Sequence, residues 1–514
     1  MIILVVNLGL KSVRCIAFSL DGVSLASSSQ PVQTFVSNEK VEQNPTEWFQ
    51  LTQKVIRDVT LELGKRAQDI SYITVTTSAS CLVVLDSKGH PLRNSILVSD
   101  TRSISEARIL AHTVEFQAIH HKTGYKSSPD LMIPKIMWLA KHEQDIYHRA
   151  QHFLNAGDYL NFLLTGRYIT DPNNAMKFHY VLPEHSYPVN LFSSLGIDVE
   201  KFPEVRNMGE DLGTILPGIA SELGIPNTCH VILSTYDALA AVTGTGAFEI
   251  GEAVDVSGTV TSFRAVSEHN LFDPKQRFYV TPHLKKKYWL AGGSNNLGGG
   301  IIEWLRQLFF KNHPDPYEDL EAEVKSQPPC PGGLIFLPHL LGERTPIWDP
   351  NCRGVFFGLN RSHGRPQIIR AVFEGAAFSV RHIAEVLKEY HVPINKITVS
   401  GGLSRLDVMN QVKADILGVP IQKLKNFETT AIGAALISLV GIGVYNNGMD
   451  GFKQFCEIER TFEPDTKKHL MYNDFFSLYL NIYDSLKETY IQRAEILRKM
   501  QNQGIDELVI TENL

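Results

Sequence analysis

The sequence predicts an α/β fold of two lobes around a central cleft, and three observations carry that expectation. Short apolar, strand-like segments alternate with longer helical patterns along the chain. Two β-turn-β starts, at Ile2 and Ala253, lie about 250 residues apart, and each runs an apolar strand into a small-residue turn. No low-complexity linker interrupts the 514 residues, of which 43% are apolar and 20% charged, so both halves can build large cores without metal or disulfide support.

Composition also removes function classes. Lys plus Arg total 49 against 55 Asp plus Glu, a formal charge of −6, which implies no nucleic-acid partner. The six cysteines, Cys15, Cys81, Cys229, Cys330, Cys352 and Cys456, form no CxxC pair and no ligand spacing, as ordinary thiols in a reducing compartment would be. The apolar run Met1–Val6 is too short for a signal-peptide core, and no window approaches the roughly 18 apolar residues of a membrane span. A cytoplasmic protein with no membrane partner is expected.

Taken in order, Ile2–Val6 reads as a buried strand, and Val13–Phe18 as a second that ends at Asp21-Gly22, a strong hairpin signal. A helix follows over Pro45–Leu63, then strands at Ile70–Val75, Val83–Leu85 and Ile96–Val98. The stretch from Pro129 to Asp158 reads as mainly helical. A short strand Val231–Leu233 enters Tyr236-Asp237, and the Ala-rich helix after it stops near Gly244–Gly246. The lobe boundary then falls near residues 247–254. Strand Ile397–Val399 leads through Ser400-Gly401-Gly402 into a helix marked by Val408, Val412 and Ile416, and the tail from Met471 to Gln503 is helical. The implied division is 1–250, 251–450 and a helical extension 451–514 packed on the second lobe.

Several positions have residue types that suit chemistry. Asp237, after a strand and at a helix start, is either an N-cap or a carboxylate that deprotonates an attacking hydroxyl. The turn Asn7 to Ser12, with Gly9, offers amides and a hydroxyl to phosphate oxygens, and Gly258-Thr259 offers a comparable turn; tight turning explains the same glycines. Gly401 and Gly402, with Ser404 opening the next helix, leave room for a nucleotide or serve close packing. Asp100 and Arg102 suit sugar hydroxyls and phosphate, or each other as a salt bridge. Neither a Walker A turn nor a zinc pattern is present; the adjacent pair His120-His121 would diverge on a helix or a strand.

Combined in order, these segments resemble the FGGY carbohydrate kinases of the actin-like (ribonuclease H-like) ATPase superfamily. The resemblance runs through Val41–Trp48, Ser99–Arg102, Pro338–Pro346, Ser400–Arg405 with Asn410–Asp415, and Glu428–Ala435. It implies two actin-like lobes that close on a small carbohydrate or polyol and on ATP with Mg²⁺. It makes Asp237 the general base, residues 7–14 the first phosphate loop and Gly258-Thr259 the second, and it puts Gly401, Gly402 and Ser404 on the adenosine side. Asp100 and Arg102 fall to the substrate side together with Ser78 and Ser80, whose segment Thr77–Cys81 lacks both the Arg-Glu pair of glycerol kinases and the Gln-Met-His of xylulose kinases. A homodimer is a family-based possibility.

Two positions depart from the family pattern. Asn7 stands where an aspartate normally supports the metal, retaining an oxygen as an indirect candidate ligand without its charge, and Leu10 replaces a small hydroxyl residue. The implied activity is ATP-dependent phosphorylation of a hydroxyl on a small sugar, polyol or sugar acid. The alternative is a regulator of the same fold that binds nucleotide or sugar with little catalysis.

Overall fold

Strand Ile2–Leu8 buries every residue except Asn7, as the middle of a sheet covered on both faces requires. In the computed structural model, which describes residues 1–258, 260–311, 313 and 316–503, this strand pairs antiparallel with Ser12–Ser19, which pairs in turn with Ser24–Pro31 through the turn at Asp21-Gly22. On its other side lies Ile70–Thr77, parallel to it, then His230–Leu233, parallel again, and Asp211–Thr214, antiparallel at the edge. The helix occupies Pro45–Leu63 as expected. Asn44 caps it, its side chain accepting from the Thr46 N–H, and Trp48, Val55, Ile56 and Val59 are buried in the core of this sheet.

The second β-turn-β start repeats the plan. Gly251–Ser257 pairs antiparallel with Thr261–Ser267 and parallel with Ile394–Ser400; Ile421–Leu424 continues parallel, and Ile458–Phe462 closes antiparallel. Order and sense match the first sheet from hairpin to edge. The duplication that two weak sequence matches suggested is thus visible in the strand pairing. Over this part of the sheets only the edge strand differs in origin: it precedes its neighbour in the first sheet and follows it in the second; on the far side of the hairpin the first sheet adds one strand and the second adds two.

The chain divides into two compact units, though not linearly. The first holds Met1–Phe248 with Glu268–Leu290 and Lys425–Glu457, and the second holds Glu249–Ser267, Ala291–Leu424 and the chain from Ile458 on. Segment 425–457 joins the first unit because its helix, Thr429–Gly441, lies against Asp237–Thr245 with backbones in contact. A Cβ on Gly433 would sit 1.7 Å from the Ala240 carbonyl oxygen, and one on Gly244 would sit 1.9 Å from that of Thr429. Helices approach this closely only where side chains are absent.

In the second unit, the helix Thr466–Asn502 is anchored by Tyr472, whose hydroxyl donates to Glu374 Oε1 at 2.7 Å and accepts from Arg370 at 2.8 Å. The stretch 129–158 is mainly helical, as its pattern predicts, with one strand inside it. Helices Met132–His142 and Gln144–Arg149 give way to a strand, His152–Leu154, because its apolar pair Phe153-Leu154 completes an antiparallel ladder with Val83–Leu85. No described helix is long and apolar enough to cross a membrane.

The helix contact predicts the cost of a side chain there. Gly433→Val should destabilise the protein by about 3 kcal/mol or more, since neither backbone can yield; chemical denaturation of the variant beside wild type checks this, and an unchanged midpoint would contradict it.

Candidate active site

In the first unit, the parallel strands Ile2–Leu8, Ile70–Thr77 and His230–Leu233 end on the same side of the sheet. In open α/β sheets that edge is where ligands are held, because successive loops leave it side by side. Here the loops are stitched together. The Ser78 N–H donates to the Leu8 carbonyl at 3.0 Å, and the Thr76 hydroxyl donates to the Thr235 carbonyl at 2.8 Å.

Asp237 is the first residue of its helix, with Tyr236 at the cap position. One carboxylate oxygen accepts from the Ala238 N–H at 2.7 Å and the other from the Ser78 hydroxyl at 3.0 Å. Among the described residues no cation is bonded to it. The side chain keeps partial solvent exposure although protein surrounds it on nearly every side. Burial therefore raises its pKa to about 6, against the lowering effect of Ser78 and the Ala238 amide. A carboxyl group so placed is largely ionised at neutral pH yet basic enough to take a proton.

Two further predicted positions lie on the same edge. Ser78 is bonded to the candidate base itself. Ser80 is buried and holds φ 57°, a left-handed backbone rare outside glycine. Its carbonyl is pinned by Lys135, whose ammonium donates to Ser80 O at 2.6 Å and Leu97 O at 2.9 Å. Burial lowers the Lys135 pKa to about 8. Sequence reasoning missed Lys135, although a lone lysine inside the apolar run Met132–Ile136 was the available signal.

Asp100 and Arg102 turn on each other rather than outward. Both oxygens of Asp100 are engaged, by the Val41 N–H at 2.6 Å and by Arg102 Nε and Nη2 at 2.8 and 2.6 Å. Arg102 also pairs with Glu42 at 2.6 Å and lies over the Trp138 ring, so the salt-bridge alternative describes what is seen. Only Arg102 Nη1 is buried without a partner.

The first turn borders a cavity of about 190 Å³ lined by Asn7, Gly9, Ser12, Arg14, Glu428 and Thr430, among others. The Gly9 N–H is spent on the Ser12 carbonyl at 3.0 Å, so this amide closes the turn instead of facing a ligand. Asn7 Oδ1 is buried with no hydrogen-bond partner, an acceptor left open. Leu10 is 37% exposed at the turn. Arg14 Nη1 holds both oxygens of Glu428 at 2.7 Å, a pair that sequence reading did not isolate because its members stand 414 residues apart.

In the second unit the two glycine turns meet. A Cβ on Gly401, at φ 88°, would lie 2.4 Å from the Ser257 carbonyl oxygen and 3.1 Å from the Gly258 nitrogen. Gly402 faces open space, and the Ser404 hydroxyl donates to the Gly401 carbonyl at 2.7 Å. Gly401 is therefore required by packing, whereas the space at Gly402 is free for a ligand. Thr259, predicted beside Gly258, lies outside the described residues.

Comparisons with known proteins follow the same outline. A model of the FGGY family of carbohydrate kinases, N-terminal domain, matches residues 2–244, and one of the C-terminal domain matches residues 239–442. A xylulose kinase of Bacillus subtilis is 27% identical over 493 residues, covering 94% of this chain and 97% of the relative. A gluconokinase of the same organism is 25% identical over 505 residues, covering 96% and 98%. The crystal structure of a gluconate kinase from Lactobacillus acidophilus superimposes with a TM-score of 0.89 at 26% identity, covering 96% of this chain and all of that one.

The hydrogen bond from Ser78 is one of the contacts that hold the Asp237 pKa down. Ser78→Ala should raise that pKa by roughly 0.5–1 unit from its starting value, read by NMR titration of the labelled carboxyl carbon; an unmoved titration would mean the bond contributes nothing in solution.

Proposed function

Since the chain belongs to the FGGY family of carbohydrate kinases, which phosphorylate a hydroxyl group of a small sugar, polyol or sugar acid with ATP, we propose that Asp237 is the base of that transfer. The observation that supports it is the half-buried carboxylate at the end of the central strands, free of any bonded cation and raised to about 6. A base on this reaction must approach the acceptor hydroxyl and be ionised when it does. Ser78 fixes the orientation of the receiving oxygen. The remaining oxygen is steadied by the Ala238 amide, so the carboxylate has little freedom to turn away from the hydroxyl.

The nucleotide side is assigned by residue. Ser12 and the edge of the Asn7 cavity serve phosphate oxygens in the first unit; Gly258, Gly401, Gly402 and Ser404 serve the nucleotide in the second, with Thr259 the remaining member of that assignment. Gly402 suits close approach because nothing lies within 4 Å of a side chain there. Mg²⁺, when bound, neutralises charge on the phosphate tail and on the departing oxygen. The residues present fit it indirectly: Asn7 Oδ1 is an open buried oxygen that suits an ordered water of the ion rather than the ion itself. The neutral amide at Asn7 and the apolar Leu10 weaken the metal's support without removing the base. On the substrate side Ser78 and Ser80 shape the acceptor pocket, while Asp100 and Arg102 brace it, leaving Arg102 Nη1 as their one open donor.

Three outcomes test this reading. Asp237→Ala should lower kcat by about 10²- to 10⁴-fold with the fold intact, measured by sugar-phosphate formation across a polyol, sugar and sugar-acid panel; residual turnover near wild type would remove Asp237 from the role. Because the base acts ionised and its pKa is raised, kcat/KM should be constant above pH 6 or so and fall about tenfold per unit below it. Asn7→Asp should tighten Mg²⁺-dependent ATP binding, and an unchanged metal-dependence curve in calorimetry would contradict the account of that position.

A further inference from the structure

Buried ammonium groups in this protein normally have their N–H bonds answered. Lys135 donates to two backbone carbonyls, and Lys413 pairs with Asp255 at 2.5 Å. Lys177 is the exception among these. It is 8% exposed, yet among the described residues its only hydrogen bond is a donation to the Tyr125 hydroxyl at 3.1 Å. The rest of its surroundings is aromatic: the ammonium lies 4.4 Å from the ring centre of Tyr125, 5.1 Å from that of Tyr236 and 5.9 Å from that of Tyr279. Among the described residues no carboxylate pairs with it.

Ring faces attract a cation but offer it no hydrogen-bond acceptor, so they compensate burial only in part. An ammonium has three donors and here uses one. The nearby His179 supplies no anion either. It is buried with neither ring nitrogen bonded, and burial together with the Lys177 charge holds it neutral, near a pKa of about 4. The position of the cage matters as much as its chemistry. One wall is Tyr236, the residue immediately before Asp237, so the cage and the residue assigned as base are linked through adjacent chain positions.

We propose that Lys177 is the carboxylate subsite of the acceptor pocket and that the preferred acceptor is a sugar acid. Its carboxylate takes the open N–H directions of Lys177, its carbon chain lies against the tyrosine faces, and a hydroxyl further along the chain reaches Asp237. The inference rests on Asp237 being the base of phosphoryl transfer to an alcohol. It adds the charge of the substrate, which that assignment leaves open.

The test uses the full chain and a panel of aldonates of several lengths and configurations, each beside the neutral alditol of the same configuration. Equilibrium binding by calorimetry and kcat/KM are both read as the aldonate-to-alditol ratio. Wild type should favour an aldonate, and Lys177→Gln should collapse that ratio by about 10- to 100-fold, the worth of a charge-assisted hydrogen bond lost from a buried site. Lys177→Arg should restore most of it, which separates charge recognition from mere packing. A ratio that Lys177→Gln leaves unchanged, or aldonates that bind no better than alditols, would overturn the inference even if turnover of neutral sugars upholds the kinase assignment. Charge-selective binding that depends on Lys177, with no phosphoryl transfer to any acceptor, would uphold the subsite and remove the kinase assignment instead. Should Lys177→Gln not fold, the ratio measured on Lys177→Arg and Lys177→Met decides in its place.

Discussion

The contact between Gly244 and Gly433 governs where the chemistry of the first unit can sit. Asp237 opens the helix that ends at Thr245, and that helix has no freedom along its partner because backbone meets backbone at both glycines. The partner helix, Thr429–Gly441, also packs on the central strand Ile2–Leu8 and is preceded at once by Glu428, the carboxylate that holds Arg14 beside the first turn. One close approach therefore sets the height of Asp237 and the wall of the Asn7 cavity together. A chain segment almost 200 residues downstream in sequence is thus part of the framework of the first unit. Small residues at that helix pair are positioning devices, and enlarging them would shift the site before it filled it.

Charge in this region is kept apart at a cost. Asp237 has no bonded cation and is pushed up to about 6, and Asp171, buried at the start of the turn Pro172–Ala175, is also raised to about 6 by burial in spite of bonds from Thr235 and Asn174. Among the described residues Lys177 pairs with neither carboxylate. The ammonium lies 5.1 Å from the ring centre of Tyr236, the residue before Asp237 in the chain. A stabilised core would have joined the two opposite charges in one ion pair. Their separation is the arrangement that the proposed assignments use, with one group to take a proton and the other to take an anion.

Much of the architecture was legible because it is written in periodicity and turns. The helix Pro45–Leu63 announces itself by Asn44 and Pro45 at its start and by the spacing of Trp48, Val55 and Val59. The two hairpins follow from Asp21-Gly22 and from the small residues after Ser257. The strand-then-helix order at Val231–Asp237 marks Asp237 as a candidate, although its N-terminal place alone suits a cap as well. Long-range facts were hidden. Nothing local says that Thr429–Gly441 belongs to the first unit, that Phe153 leaves a helical stretch to pair with Val84, or that Asp100 is saturated by Arg102 and the Val41 amide. The Lys177 cage was hidden for the same reason, since its rings come from positions 125, 236 and 279.

The first turn shows how a departure from a family pattern changes one term more than another. Within its cavity Arg14 and Glu428 cancel each other, and Asn7 adds no charge, so the lining carries no net charge from these side chains. An aspartate at position 7 would make that sum negative, drawing a divalent cation in and repelling a bare phosphate tail. With asparagine that repulsion would be absent and the pull on a metal weaker, while Oδ1, buried without a partner, is the acceptor that the proposed assignment gives to a water of the ion. Phosphate contacts would then depend on hydroxyls such as that of Ser12, which lines the cavity and whose strength as a donor does not require the ion. Under the proposed assignment, metal dependence is therefore the property on which the asparagine would act, while proton transfer would fall to Asp237, on a different strand end.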